Sequence, residues 1–318
     1  MAYFHDSTEP SSGPRRVVVT GIGVISPMGT GFAENAAGFR AGRAAFREVH
    51  FFDVSRQRVN TAGVANVPTA LDGLRARAWA RMDRGTRLAT MAAREALWSA
   101  GLADGGDMPA AIGTSAAAMP VGEAYFKAAV AGAAKKRAQL QRVETYQAQR
   151  QLGGMLTALG VRGRMRIISN ACASGANAVG QAYHWVRSGR ADRVLAGGYD
   201  ALCQLVFAGF DSLQAFSPAG IPRPFDAARD GLALGEGAAF LVVESFAAAS
   251  ERGARVWAEI SGYAAATDIH HLTQPHPDGD AALATMTSAC AMAGVSPGDI
   301  DYLNSHGTGT PLNDVAEA

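Results

Sequence analysis

The sequence has few cysteines, almost no net charge and no long apolar run, and each scarcity excludes a class of protein. Three cysteines, Cys172, Cys203 and Cys290, are too few for a disulfide framework, and their spacing fits no zinc motif. A formal net charge of +1 creates no overall field that would attract nucleic acid or an anionic membrane. No apolar run is long enough to span a bilayer. We therefore expect a reduced cytoplasmic protein with no metal site, nucleic-acid partner or membrane segment.

The length and composition are those of a globular protein. The chain has 318 residues, of which 48% are hydrophobic and 18% charged, enough for one large domain or two fused halves. Residues 1–14 are polar and lack the apolar stretch of a signal peptide. A disordered tail is the expectation for this segment.

Apolar runs rich in β-branched residues alternate with segments of helical periodicity. Strands are predicted at residues 17–24, 111–113, 165–169, 193–197, 239–243 and 256–262, with a further strand ending at Leu303. Helices are predicted near residues 31–42, 83–100, 122–158, 176–186 and 280–293. This alternation predicts an α/β fold with a largely parallel sheet. The pattern at 256–262 resembles that at 17–24, which suggests two similar halves, residues 15–255 and 256–318.

The C-terminal residues carry the signature of a helix start. Asp314 and Glu317 form an Asp-x-x-Glu pattern, and the sequence ends one residue later, at Ala318. A helix that short is not stable, because helix nucleation is costly. The expectation is therefore that the second half, from residue 256, is incomplete.

Several segments resemble binding motifs but favour a simpler structural role. Gly-Ile-Gly at residues 21–23 is similar to a dinucleotide fingerprint, but Ser26 replaces the third glycine, which favours a close-packed turn. Residues 231–237 are glycine-rich without the lysine of a phosphate loop, which indicates a tight buried turn that could line a site. The histidines within residues 270–276 lie in a proline-containing loop without metal-binding spacing. The basic run at 135–137 is typical of a solvated helix face, with docking of an acidic partner as the alternative.

Cys172 carries the strongest chemical signal. It lies in Asn-Ala-Cys-Ala-Ser-Gly at residues 170–175, where a strand pattern ends and a helical pattern begins. The amide dipoles of a helix N-terminus lower the pKa of a thiol, and a thiolate is a nucleophile. His306 opens a His-Gly-Thr-Gly-Thr loop, where a histidine can act as a general base or hydrogen-bond donor. The two residues are a candidate nucleophile and partner.

Four segments together resemble the β-ketoacyl-acyl-carrier-protein synthases, the ketosynthase branch of the thiolase-like superfamily. They are Val-Val-Val-Thr-Gly-Ile-Gly at residues 17–23, the cysteine motif at 170–175, Pro-Arg-Pro-Phe-Asp at 222–226 with the glycine-rich 229–237, and Asn-Ser-His-Gly-Thr-Gly-Thr-Pro at 304–311. The resemblance implies a layered α/β fold of two similar halves. It also implies a homodimer, or a heterodimer with another ketosynthase-like chain.

The resemblance implies a two-stage reaction that needs no bound cofactor. Cys172 would take an acyl group from an acyl carrier protein as a thioester, and a malonyl thioester would lose carbon dioxide and attack it. His306 would stabilise the enolate, and the Cys172 backbone N–H would form part of an oxyanion hole. Thr308 and Thr310 match positions that contact the phosphopantetheine arm of the carrier. Glu317 matches a glutamate that pairs with a downstream lysine.

The resembled family carries a second histidine, that lysine and a glycine-phenylalanine loop at positions that would follow Ala318. Two alternatives therefore stay open: an inactive or split ketosynthase subunit that needs a partner chain, and a thiolase-type enzyme that acts on coenzyme A esters. Cys172 argues against a chain-length-factor role, because such partners often lack the nucleophile. The loop at 306–310 favours carrier-linked condensation, in either fatty-acid or polyketide biosynthesis.

Overall fold

The structure is a computed structural model, and it describes residues 13–132 and 137–318. The strands are β1 (Val17–Ser26), β2 (Gly29–Thr30), β3 (Phe46–Glu48), β4 (Thr61–Gly63), β5 (Gly106–Asp107), β6 (Ala110–Gly113), β7 (Val161–Arg162), β8 (Met165–Ile168), β9 (Arg193–Asp200), β10 (Gly237–Ser245) and β11 (Ala258–Glu259). The helices are α1 (Phe32–Arg40), α2 (Ala76–Arg81), α3 (Arg84–Ser99), α4 (Met119–Val130), α5 (Arg137–Thr145), α6 (Ala148–Ala158), α7 (Ser174–Arg187), α8 (Gln204–Ser212), α9 (Phe246–Glu251), α10 (Asp280–Ala293) and α11 (Pro311–Glu317). Nearly all of the predicted N-terminal tail, and Lys135 and Lys136 of the basic run, lie outside the described residues.

The main sheet has the strand order β11-β1-β10-β9-β6-β8, with β2 attached to β1. Strand β6 is parallel to β8 and β9, whereas β10 is antiparallel to β9 and to β1, and β11 is antiparallel to β1. The prediction of a largely parallel sheet is therefore wrong for the β10–β1–β11 side. Parallel neighbouring strands need a crossover connection, and the helices between β6 and β9 supply it. Residues 201–236, by contrast, bring the chain back so that β10 runs beside β9 in the opposite direction.

Helix α3 packs directly on strand β1. A β-carbon on Gly21 would lie 2.1 Å from the carbonyl oxygen of Ala96, and one on Gly23 would lie 2.0 Å from that of Ala92. The expected close packing of these glycines is confirmed, but they lie inside a strand and not in a turn. Glycine is needed here because only a residue without a side chain lets the helix backbone approach the strand so closely.

The two faces of the sheet are covered by different helices. On one face, α3 and α6 contribute Leu88 and Leu152 to an apolar core that includes Phe240 of β10. On the other face, α7 packs Tyr183 and its neighbours against Val194 of β9 and other strand residues. The sheet is therefore the middle of three layers, and α7 lies on the face opposite α3.

Predictions near the C-terminus are partly wrong. Helix α10 is found where the sequence predicts it, but the strand predicted at 256–262 shortens to β11, and residues 300–310 form no strand. Helix α11 begins at Pro311, three residues before the predicted cap Asp314, because proline has a backbone angle suited to the first helical position. Tertiary hydrogen bonds described below hold this short helix, which would be unstable alone.

The histidine cluster is a surface loop. The carboxylate of Asp268 accepts hydrogen bonds from the backbone N–H groups of His270 and His276, at 2.9 and 2.8 Å. Across residues 13–132 and 137–318, no group of three or more potential ligands could hold a metal ion. Within the same ranges, no helix is long and apolar enough to cross a membrane.

Candidate active site

Cys172 lies in the predicted strand-to-helix turn. Strand β8 ends at Ile168, helix α7 begins at Ser174, and the Cys172 residue between them is exposed. Ala171, immediately before the cysteine, has a φ of 56°, a left-handed conformation that is uncommon for a residue with a β-carbon. The backbone thus makes a sharp turn that presents the thiol at the first turn of α7.

Ser174 fastens this turn. Its hydroxyl accepts the backbone N–H of Asn170 at 2.9 Å and donates to the carbonyl oxygen of Ala171 at 2.6 Å. The side chain is buried, so these bonds are shielded from water. Sequence reasoning did not single out Ser174, because a serine beside a helix start is too common to indicate a particular contact.

The side chains of Cys172 and His306 interact although they are far apart in the sequence. Hydrogen bonding with His306 holds the pKa of the Cys172 thiol below its usual value; partial burial and the carboxylate of Asp200 oppose this effect. The same hydrogen bonding raises the pKa of His306, helped by the negative charges of Glu317 and Asp314, whereas burial lowers it. Both shifts move the pair toward a thiolate next to an imidazolium, the direction that activates a cysteine.

Helix α11 holds the backbone of His306 through Glu317. One carboxylate oxygen of Glu317 accepts the N–H of His306 and the other accepts that of Gly307, each at 2.7 Å. The side-chain amide of Asn313 donates to the same carboxylate at 2.9 Å, which fixes its orientation. Glu317, for which the family resemblance implies a lysine partner, thus accepts backbone hydrogen bonds at the base of the histidine loop.

Asp314 joins the histidine loop to a second loop. Its buried carboxylate accepts the N–H of Gly309 at 3.1 Å and the N–H of Phe225 at 2.7 Å, and it lies 3.9 Å from the guanidinium of Arg229. The carbonyl of Gly309 in turn accepts the N–H of Gly231 at 3.0 Å. The glycine-rich segment predicted as a buried turn therefore supports the loop that carries the histidine.

Thr308 and Thr310 lie in the same loop and are half-buried. Their hydroxyl oxygens are 2.8 Å apart, and the Thr308 hydroxyl also accepts the N–H of Thr310 at 3.3 Å. One hydroxyl of the pair must donate to the other, so the two act as a linked polar group beside His306. Contact of these threonines with a phosphopantetheine arm stays a prediction.

A cavity of about 540 Å³ opens beside Cys172. Small and apolar residues from several elements dominate its lining, among them Ile25, Gly113, Val179 and Ala239. Asp200, at the end of β9, also borders it, and its carboxylate accepts the hydroxyl of Thr114 at 2.9 Å and the N–H of Ala116 at 2.7 Å. Sequence reasoning missed Asp200, because nothing in the local pattern distinguishes a carboxylate that holds a neighbouring turn.

Cys172 and His306 meet at the N-terminal end of α7 in a layered α/β fold, an arrangement that fits an acyl-transferring enzyme of the thiolase-like class. Residues 14–249 match the N-terminal domain of the β-ketoacyl synthases, and residues 257–318 match their C-terminal domain. The chain belongs to the β-ketoacyl synthase family.

Curated relatives include enzymes of polyketide and fatty-acid type. The ketoacyl synthase alpha subunit of the tetracenomycin polyketide synthase from Streptomyces glaucescens is 35% identical, over 95% of this chain and 75% of the relative. The 3-oxoacyl-acyl-carrier-protein synthase 2 of Staphylococcus aureus is 34% identical, with the same shares covered. This chain therefore spans about three quarters of the length of these relatives.

Solved structures agree with the fold. The ishigamide ketosynthase/chain length factor superposes with a TM-score of 0.86 at 35% identity, over 95% of this chain and 75% of that one. A β-ketoacyl synthase from Burkholderia phymatum gives 0.83 at 32% identity, over 95% and 76%. A type II polyketide acyl-carrier protein in complex with its ketosynthase also gives 0.83, at 27% identity, over 96% and 76%. The expected thiolase-like α/β fold is confirmed.

Proposed function

We propose that this β-ketoacyl synthase condenses a malonyl thioester with an acyl group carried on Cys172. The observation that carries the proposal is the interaction of the Cys172 thiol with the His306 imidazole inside the fold of this family. In the first stage the thiolate attacks the carbonyl carbon of an acyl thioester. The bond from that carbon to the carrier sulfur breaks, and the carrier thiol leaves with a proton.

In the second stage the malonyl thioester loses its carboxylate as carbon dioxide. The electron pair of the broken carbon–carbon bond forms an enolate, which attacks the Cys172 thioester and releases the thiolate. The His306 imidazole donates a hydrogen bond to the enolate oxygen, and the Cys172 N–H donates to the oxygen of the tetrahedral intermediate. No step requires a metal or a redox cofactor.

The acyl and malonyl groups would arrive on an acyl carrier protein. Its phosphopantetheine arm would pass Thr308 and Thr310, whose hydroxyls lie in the histidine loop. One similar structure is a ketosynthase in complex with a polyketide acyl-carrier protein, which supports this partner. The relatives include both polyketide and fatty-acid enzymes, so the proposal covers either pathway.

A second ketosynthase-like chain is the proposed structural partner. An apolar groove of about 450 Å³ lies between α4 and α5 and is lined by Phe126, Tyr146 and Leu205, among others. Phe126 is 68% exposed, and a patch of this kind marks an interface in many proteins. Replacement by aspartate, Phe126→Asp, should lower the oligomer mass measured by light scattering. The matched variant Phe39→Asp, at a phenylalanine 69% exposed on α1, should leave it unchanged.

Acyl transfer is tested directly by mass spectrometry. The chain is incubated with an acyl-loaded carrier protein, and a mass increase equal to the acyl group should appear on the peptide that contains Cys172. Cys172→Ala should abolish the increase, whereas Cys203→Ala should keep it, because burial raises the pKa of Cys203 to about 12. Malonyl-loaded carrier is then added, and release of carbon dioxide with formation of a β-ketoacyl product is expected. Equal acylation of the wild type and Cys172→Ala would refute the assignment of the nucleophile.

A further inference from the structure

The hydroxyl of Ser174, which follows Cys172, binds back to two backbone groups that precede it. It accepts the N–H of Asn170 at 2.9 Å and donates to the carbonyl of Ala171 at 2.6 Å, and Cys172 lies between these residues and the serine. The backbone N–H of Ser174 donates to the same Ala171 carbonyl at 3.1 Å. Ser174 is only 2% exposed, so water cannot replace its hydroxyl without a local opening.

These bonds hold an unusual backbone conformation. Ala171 has a φ of 56°, where the β-carbon of an L-residue comes close to the following carbonyl oxygen. Such a residue keeps this conformation only when its surroundings impose it. The Ser174 hydroxyl holds the N–H of Asn170, the residue before Ala171, and the carbonyl of Ala171 itself.

A hydroxyl also binds a second left-handed alanine, in a turn that borders the same cavity. Ala117 has a φ of 47°, and its backbone N–H donates to the hydroxyl of Thr114 at 2.9 Å. In both places a hydroxyl three residues away in the chain is hydrogen-bonded to the left-handed alanine: it donates to the carbonyl of Ala171 and accepts the N–H of Ala117.

We infer that Ser174 is a positioning residue: its hydroxyl locks Ala171 in the left-handed conformation and so directs the Cys172 thiol at His306. The role of the thiol as a nucleophile rests on the proposed function, whereas the backbone geometry rests on the hydrogen bonds alone. Without the hydroxyl, Ala171 can return to a common conformation, and the thiol then turns away from the imidazole. The serine itself touches no reacting atom.

The test is the pH dependence of Cys172 alkylation by iodoacetamide, followed by mass spectrometry of the Cys172 peptide in the full chain. Ser174→Ala should move the midpoint of the alkylation profile to higher pH, because the thiol loses the imidazole that stabilises its charged form. Where the midpoint lies above pH 7, each further unit of upward shift lowers the thiolate fraction at pH 7 about tenfold. The matched control is Ser188→Ala, which removes a hydroxyl that donates at 2.7 Å to the His184 carbonyl at the other end of α7. Its profile should coincide with that of the wild type.

A second substitution tests whether Ser174→Ala acts through the conformation of Ala171 or through a general loosening of helix α7. Glycine adopts positive φ readily, so Ala171→Gly should restore part of the lost midpoint shift in a Ser174→Ala background. An unshifted profile in Ser174→Ala overturns the inference, and so does a shift that Ala171→Gly leaves unchanged. If Ser174→Ala does not fold, the double variant becomes the test, and its failure to fold or to keep a low midpoint also overturns the inference. Alkylation needs no carrier protein, so failed acyl transfer with a normal alkylation profile would count against the proposed function alone.

Discussion

The imidazole of His306 lowers the pKa of the Cys172 thiol, and the thiol raises the pKa of the imidazole in return. The two residues come from elements held by different parts of the fold. Cys172 precedes α7, which packs on the sheet, whereas His306 precedes α11, which Asp314 and Glu317 attach to neighbouring loops. The charge state of the site therefore depends on how firmly the second element is held against the first.

Replacement of the histidine should weaken the nucleophile. In His306→Ala the pKa of the Cys172 thiol rises, because its hydrogen bond and favourable charge are lost, so alkylation at pH 7 slows and its midpoint moves to higher pH. The pH profile of iodoacetamide labelling measures this shift. His50→Ala, at an exposed histidine 3.7 Å from Glu48, is the matched control and should leave the profile unchanged. An unchanged midpoint in His306→Ala would contradict the pairing.

Loss of the Asp314 carboxylate should release the histidine loop. Asp314→Ala leaves the buried N–H of Gly309 and the partly buried N–H of Phe225 without an acceptor, which should lower the free energy of unfolding by about 3 kcal/mol. Urea denaturation measures this loss. Asp299→Ala removes an exposed carboxylate that accepts the N–H of Ser296 at 2.8 Å, and it should cost less than about 1 kcal/mol. Equal losses in the two variants would show that Asp314 does not anchor the loop.

Two glycine-to-alanine substitutions should have opposite effects on stability. Gly23→Ala places a β-carbon 2.0 Å from the Ala92 carbonyl oxygen, which forces α3 away from β1 and should cost about 1–3 kcal/mol. Gly154→Ala, inside α6 with no atom within 4 Å of the added carbon, should stabilise the chain by about 0.5–1 kcal/mol. Thermal unfolding of the two variants beside the wild type checks both signs. A stabilised Gly23→Ala would show that the strand and helix are not in tight contact.

The buried Glu244 should make stability depend on pH. Burial alone would raise the pKa of Glu244, but hydrogen bonds from Arg252, Thr20 and Arg193 outweigh it and hold the pKa below 4.5. A carboxyl group whose pKa is lowered by folding stabilises the protein fully above its unfolded pKa, and this contribution is lost as the pH falls through the folded value. Glu244→Gln should therefore cost about 3 kcal/mol at neutral pH, since it leaves the two arginines without a charged partner.

Urea denaturation of Glu244→Gln and the wild type at several pH values is the measurement. The difference in unfolding free energy should be constant from neutral pH down to about 4.5 and should shrink below it. Glu259→Gln serves as the comparison, because Glu259 is partly exposed and pairs with Arg16 alone among the described ion pairs. If the difference in unfolding free energy between Glu244→Gln and the wild type stays constant at all pH values, the carboxylate charge does not contribute to stability.

The elements that sequence reasoning found are those with strong local patterns. The apolar run of β1, the periodicity of α3 and the extent of α10 depend on neighbouring residues alone. The direction of β10 could not be read in this way, because it depends on where residues 201–236 return the chain. The short length of β11 has a similar cause, since its pairing is limited to the Val18–Val19 edge of β1.

At the candidate site, the sequence predicts the reactive groups but not the groups that hold them. Cys172 and His306 stand in distinctive motifs, so both could be named in advance. Asp200 and Asp314 act by accepting backbone N–H groups from distant segments, and an acidic residue in a sequence does not show which N–H it will meet. The backbone angle at Ala171 is equally hidden, because alanine gives no sign of a left-handed conformation.

Among the described residues, strand β8, which leads to Cys172, is the outermost strand of the main sheet and pairs there only with β6. Strand β9, by contrast, is hydrogen-bonded on both sides. Local unfolding that frees Cys172 therefore has to break one hydrogen-bond ladder and not two, and it leaves the rest of the sheet intact. The amide hydrogens of β8 should therefore exchange with solvent faster than those of β9. The opening rate of the β6–β8 hydrogen-bond ladder then sets how long the thiol stays in place.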